Sequence, residues 1–308
     1  MSPSRTIPTI LSDPMRITNF ANLPAPIVAA VENDTYSRGD ADMSVTALIG
    51  PARQQALMFR HWDELHEDAA DRIWSLVGQV GHGILERAGM VSSAVVEKRL
   101  FYALEGWRIS GASDHLELTN HTLTDWKFVS VWSIRDGVKA EWIAQMNLYA
   151  LLWRAHGHVI HSLQVLAILR DWRKNEALRY VGTGYPPQQV AVLEVLMWPE
   201  DVTLKYLAQR IRIQQDARVA LPFCSREERW QKDATWAVVK DGNKRASKLC
   251  RSLEEAEAVI GEAPKFHIDF RPGVATRCEQ YCSVRDQCRA LADGQWAEGE
   301  TEGDEVTA

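Results

Sequence analysis

The chain has 308 residues, a formal net charge of −6, 46% hydrophobic residues and 25% charged residues. That apolar share supports a sizeable core, and the length suits one large domain or one domain with an appendage. The acidic balance at first argues against a nucleic-acid partner. All six surplus charges, however, sit in the last sixteen residues as Asp293, Glu298, Glu300, Glu302, Asp304 and Glu305, leaving a near-neutral body.

In chain order, residues 1–40 carry several prolines and no period, and read as a loosely ordered arm. Residues 54–70 and 72–89 read as helices. In the second, Ile73, Leu76, Val77, Val80, Ile84 and Leu85 recur at helical spacing. Gly78, His82 and Glu86 recur every four residues and share a face. Glycines at 78, 81 and 83 allow another backbone to come close. His82 suits a metal ligand, or a structural helix histidine bonded to a neighbour.

Strands are predicted near 94–103, 106–118 and 122–130. Glu97, in the first, reads as an exposed strand position and alternatively as a metal-side acid. The second and third join through Thr119-Asn120-His121 and form a hairpin that sets Asp114 and Asp125 side by side. Two neighbouring carboxylates repel unless a cation lies between them, and a hard divalent ion such as Mg²⁺ prefers oxygen ligands. Lys127 lies two residues beyond Asp125, on the same face of the pleat. Two acids, a cation-binding gap and a lysine suit phosphodiester hydrolysis, although Asp-x-Lys alone is most often a solvated strand face.

Residues 139–156 read as an amphipathic helix with Trp142, Met146, Tyr149 and Trp153 at three- and four-residue steps. Gln145 and Tyr149 share a face one turn apart and suit a phosphate or base edge, or the rim of a core stripe. A strand follows at 161–170, a β-rich run at 189–197, and a helix from Pro199 to about Arg218. Basic residues outnumber acidic ones by eight to four between Ser225 and Arg251. That stretch includes a predicted hairpin around Asp241-Gly242, which suits a phosphate backbone or a solvated surface.

The five cysteines are Cys224, Cys250, Cys278, Cys282 and Cys288. With neither a signal peptide nor a transmembrane run, the expected place is the cytoplasm of a bacterium or a phage-infected host, where disulfides are rare. The C-x3-C-x5-C triplet Cys278, Cys282, Cys288 therefore suggests a metal site. Cys224, in a loop at a Pro turn, is the fourth ligand of choice, whereas Cys250 ends a strand and reads as buried. Four thiolates hold either zinc or a [4Fe–4S] cluster.

The motif order Gly78-x3-His82-x3-Glu86, Gly111-x2-Asp114, Asp125-x-Lys127 and Gln145-x3-Tyr149 resembles the PD-(D/E)XK nuclease superfamily. It looks most like the RecB-like exonuclease branch. The terminal cysteines resemble that branch's iron–sulfur subgroup, which includes AddB-type helicase-nucleases, CRISPR-associated adaptation nucleases and phage nucleases. The resemblance covers roughly residues 40 to 290. It implies a restriction-endonuclease-like α/β core of helix, three-stranded meander, helix and strand, with additional helices and a cysteine-clamped C-terminal segment. By it, His82, Asp114 and Asp125, with a Trp126 carbonyl, hold Mg²⁺ or Mn²⁺, Lys127 is catalytic, and Gln145 and Tyr149 touch DNA. Cys224, Cys278, Cys282 and Cys288 hold [4Fe–4S], with structural Zn²⁺ as the alternative. Ser113 departs from the namesake proline, the first triplet spacing is x3 where x2 is commoner, and no cysteine precedes the core.

The expected organisation is an arm at 1–40, a nuclease core at 41–220, a basic hairpin and cysteine region at 221–292, and a disordered acidic tail at 293–308. The expected function is metal-dependent DNA exonuclease activity in recombination, repair or phage DNA processing. DNA with free ends is the expected partner, with a recombination or replication protein as a further one and no membrane. Alternatives are an endonuclease or flap nuclease, an idle DNA-end-binding scaffold of the same fold, and a zinc-stabilised interaction protein.

Overall fold

A computed structural model describes residues 15–33, 38–89, 93–261 and 265–292. The expected acidic tail and the first fourteen residues of the expected arm lie outside them. The described elements begin with β1 (Arg16–Thr18), α1 (Ala25–Glu32), β2 (Met43–Ser44), α2 (Val45–Ile49), α3 (Ala52–Arg60) and β3 (His66–Asp68). They continue with α4 (Ile73–Gly89), β4 (Ala94–Leu104), β5 (Trp107–Glu117), β6 (Thr122–Val129), α5 (Ala140–Ala155) and β7 (Ser162–Leu169). Next come α6 (Lys174–Arg179), β8 (Val190–Val195) and α7 (Glu200–Val219). The C-terminal part holds β9 (Gln231–Lys232), β10 (Thr235–Lys240), β11 (Ala246–Cys250), α8 (Leu253–Ile260), β12 (Phe266–Arg271), β13 (Val274–Ala275), α9 (Thr276–Gln280) and α10 (Arg285–Ala292).

The main sheet is mixed. β4 covers one edge of β5 along its length. The other edge of β5 is shared between β6, at His115–Glu117, and β2, at Ile109–Ser110. β7 runs parallel to β6, with α5 as the crossover, and β8 closes the order antiparallel to β7. The β4–β5 turn is a two-residue hairpin because Glu105 and Gly106 both take positive φ, at 49° and 76°.

α5 is buried nearly all round, from Trp142 to Trp153, between the sheet and α2 and α7. Its side chains form the main core with Leu100, Ile109, Leu116, Leu123, Leu163 and Val165. Burying a Leu or Ile contributes about 1.5–3 kcal/mol, so this layer dominates the fold's stability. The buried amide of Asn147 fastens α5 to the chain after β8. Its Nδ2 donates to the Leu196 carbonyl and its Oδ1 accepts from the Trp198 N–H. On the other face, α4 crosses so close to β6 that a Cβ on Gly81 would overlap the Phe128 ring at 2.0 Å. Gly78 and Gly83 meet nothing within 4 Å, so the close approach falls to Gly81 alone of the three.

Two expectations are corrected here. The predicted helix over 54–70 stops at Arg60, and its remainder becomes a 3₁₀ turn at Trp62–Glu64, strand β3 and a second 3₁₀ turn at Ala69–Arg72. The cause is a distant pairing: β3 lies parallel to β1, Arg16 opposite His66, across fifty residues of chain. The same pairing gives the expected loose arm a strand, and the helix α1 follows it. Asp68 locks it, accepting from the Thr18 hydroxyl, the Phe20 N–H and the Ala70 N–H.

The basic hairpin is β10–β11, with Gly242 at φ 81° in the turn, and β12 adds a third strand on the far side of β10. α8 packs on this small sheet, and Cys250 is buried there against Val238 and Ala256. Its charges are partly matched, Lys248 by Glu255 and His267 by Asp241. Among the described residues, no helix is long and apolar enough to cross a membrane.

Candidate metal centre and cysteine pocket

The chemistry gathers where β5 and β6 part. Their ladder pairs His115 with Thr124 and goes no further, so the next pair, Asp114 and Asp125, stands at the fork. Asp114 bridges it: its Oδ2 accepts a hydrogen bond from the Trp126 N–H.

Both β4 and β5 lose their alternation at this level. Val96 faces α4 beside Gly89, yet Lys98, two residues on, lies under the Trp153 ring of α5. Likewise Ser113 accepts from the Trp153 indole on the α5 side, at 2.7 Å, whereas His115 faces Gly89 and Trp126. Glu97 and Asp114 occupy the switch. Glu97 achieves it with φ 47°, a left-handed conformation rare for a residue with a side chain. Irregularities that re-aim side chains recur at functional sites.

The result is a compact group. His82 Nδ1 on α4 lies 3.3 Å from Asp114 Oδ1 and 3.4 Å from Glu97 Oε1. His82, Glu97 and Asp114 place one ligand atom each within 4.8 Å of one another. Glu97 is thus a site residue, contrary to its first reading as an exposed strand position. Trp126 and Phe128 border the imidazole, their ring centroids 5.8 and 5.7 Å away.

Asp125, 3% exposed, stands across the fork from Asp114. Lys127 Nζ is 2.5 Å from its Oδ2, and that oxygen has no other partner among the described residues. Gln145 ties the set together. Its Oε1 accepts from Lys127 Nζ at 3.2 Å, and its Nε2 donates to Tyr149 Oη at 2.9 Å and to Asp125 Oδ1 at 3.4 Å. Gln145 and Tyr149 are both buried, and their polar atoms bond within this set. A Cβ on Gly111 would lie 2.8 Å from the Tyr149 ring, which is why glycine stands there.

Burial and neighbouring charges shift the titration of this group. Burial, then the Asp125 charge, raises the Asp114 carboxyl to about 6. Burial opposes charge on His82, but hydrogen bonds to Asp114 and Glu97 outweigh it and hold the imidazole at about 10. Burial likewise opposes charge on Lys127, and Asp125 overcomes it, raising the ammonium's pKa. A proton on His82 and the Lys127 ammonium set two positive charges among three carboxyl groups. An imidazole with two or three carboxylate oxygens is a donor set suited to Mn²⁺ or Mg²⁺.

The cysteines divide. Cys224, Cys278, Cys282 and Cys288 line one pocket with Arg53, Leu57, Phe223, Arg229 and Val284, whereas Cys250 lies in the small sheet's core. Burial drives the Cys224 thiol up to about 12, with further push from Glu228 and the other three thiols. Cys278 and Cys282 are raised too, chiefly by burial. Arg53 Nε donates to Cys288 Sγ at 3.1 Å, and Arg229 Nε is buried without a partner among the described residues. No three of the sulfurs come within 4.8 Å of one another. Zn–S bonds of about 2.3 Å in a tetrahedron set sulfurs about 3.8 Å apart, so the pocket is too wide for one zinc ion as it stands.

The strain at Glu97 and the bonds of Gln145 to Lys127 and Asp125 have no local sign in the sequence. A charged residue in a β-rich run, three residues from the strand start, carries no local sign of a left-handed backbone.

No protein-family profile matches this chain, and no curated protein matches it. Among solved structures, the crystal structure of SSO0001 is similar at 16% identity with a TM-score of 0.43, over 61% of this chain and 84% of that one. That likeness bears on no residue of the site.

Proposed function

We propose that this chain is a divalent-metal-dependent deoxyribonuclease of the PD-(D/E)XK type that degrades DNA from free ends. The observation that carries the reading is Lys127 seated on Asp125 at the strand fork, beside the group His82, Glu97 and Asp114. Asp114, Asp125 and His82, with Glu97 added by the structure, would hold Mg²⁺ or Mn²⁺. When bound, such an ion activates water and polarises a phosphate.

The chain's own residues do the rest. Lys127 stays charged, so it acts as a fixed cation that offsets charge developing on the phosphate, not as a proton acceptor. Gln145 bonds both the ammonium and the Asp125 carboxylate, and Tyr149 accepts from the same Gln145 amide. Trp126 and Phe128 screen the imidazole from water on one side.

For the pocket lined by four thiols the proposed group is a [4Fe–4S] cluster. In a cubane each thiolate binds its own iron, so the sulfurs stand wider than around a single ion. The Arg53 and Arg229 donors suit its anionic sulfur. There it would cross-link α9 and α10 to the Cys224 loop.

Lys127→Ala tests the catalytic reading. It should lower kcat on DNA about a hundredfold or more, as loss of one transition-state donor does, with Kd for DNA changed less than about threefold. A cleavage rate within a few-fold of wild type would refute the role.

A further inference from the structure

We infer that Trp74 and Arg170 form a base-stacking subsite for the DNA strand that runs into the metal centre. This rests on the DNA reading above. Trp74, Gly78 and His82 follow one another at four-residue steps on α4, so they form one ridge of the helix. His82 ends the ridge at Asp114. Trp74 lies eight residues earlier, about 12 Å along the helix at 1.5 Å per residue. Between them Gly78 leaves a notch, since a Cβ there would meet nothing within 4 Å.

Trp74, at the start of this ridge, is 59% exposed. It overhangs the strand ends, where Arg170 follows β7 and its guanidinium lies 4.2 Å from the centre of the indole ring. The Arg170 N–H is fixed to the Val129 carbonyl at the end of β6, the strand that carries Asp125 and Lys127. Trp132, 65% exposed, stands on the 3₁₀ turn that follows β6. An indole held open to solvent by an arginine costs apolar exposure and contributes nothing to the core. It is what a nucleobase stacks on, with the guanidinium placed for a neighbouring phosphate. The Gly78 notch then lets the sugar-phosphate chain lie close against α4 on its way to His82. A base reaches the ring only when it is out of a duplex.

The test uses the full chain in two assays. Binding of a fluorescein-labelled oligo(dT) is followed by anisotropy in EDTA, for wild type, Trp74→Ala and Trp74→Phe. Hydrolysis of bis(p-nitrophenyl) phosphate, a phosphodiester without bases, is followed with Mn²⁺. Trp74→Ala should raise Kd for the oligonucleotide about tenfold, the scale of one lost base stack. Trp74→Phe should restore most of it, and all three proteins should hydrolyse the small diester equally. Unchanged oligonucleotide affinity in Trp74→Ala, or no binding by wild type, would overturn the subsite. Equal loss on the small diester would make Trp74 structural and overturn it too. If wild type binds through Trp74 but cuts neither substrate, the nuclease reading fails and the stacking subsite stands.

Discussion

Glu97 and Asp114 stand at the one break in the β4–β5 ladder, between the pairs Val96–His115 and Lys98–Ser113, and there both strands switch the faces their side chains occupy. The switch lets two carboxylates from adjacent strands meet His82 on a third element. A regular pleat would send Glu97 and its neighbours to fixed sides of the sheet.

Glu97→Gln keeps the shape and removes one charge. It should weaken Mn²⁺ binding about tenfold or more, because a neutral amide is a poor ligand for a hard cation. Calorimetric titration of Mn²⁺ reads this directly. Affinity equal to wild type would place the ion elsewhere in the fork.

Metal binding should release protons. In the metal-free protein His82 holds its proton up to about pH 10, so at pH 7.5 it is an imidazolium and must lose a proton to become a ligand. Titrations in buffers of different ionisation enthalpy should give about one proton released per Mn²⁺. Affinity should rise about tenfold per pH unit between roughly pH 6.5 and 8.5. The same proton stabilises the metal-free fold. Its pKa is raised from 6.5, so this contribution is complete below pH 6.5 and is lost as pH rises through about 10. Metal binding with no proton release would show that the carboxylates bind without the imidazole.

Cys224→Ser, Cys278→Ser, Cys282→Ser and Cys288→Ser should each lose bound iron and lower Tm, because Cys282, Cys288 and Val284 pack on Leu57 and Leu65 and join the C-terminal segment to α3. Cys250→Ser should keep the iron and lose only packing in the small sheet. Iron analysis and the visible spectrum of anaerobically purified protein check this contrast. Iron lost from Cys250→Ser and kept in Cys224→Ser would reverse the ligand assignment.

Much of the architecture follows from local patterns. The hairpin of β5 and β6, the crossover helix α5 and strand β7 appear in the sequence as alternation, turn residues and a 3.6-residue period. Asp125 and Lys127 are two residues apart in a strand, and their shared face needs no tertiary knowledge. What was not legible depends on distant partners or on backbone strain. β1 and β3 exist because each pairs with the other across the chain, and a helical period misread residues 61–70. Glu97 acts through a φ of 47° that no side chain announces. Gln145 and Tyr149 share a face as their spacing says, but their burial and their bonds to Lys127 and to each other depend on how α5 packs on the sheet.

Digestion of end-labelled linear and closed circular DNA with Mg²⁺, Mn²⁺ or EDTA tests the central claim most directly. The account predicts loss of linear DNA with Mn²⁺ or Mg²⁺, survival of the circle, and no cleavage in EDTA or by Asp114→Asn and Asp125→Asn. Linear DNA left intact with both metals, or degraded equally well in EDTA, would contradict it.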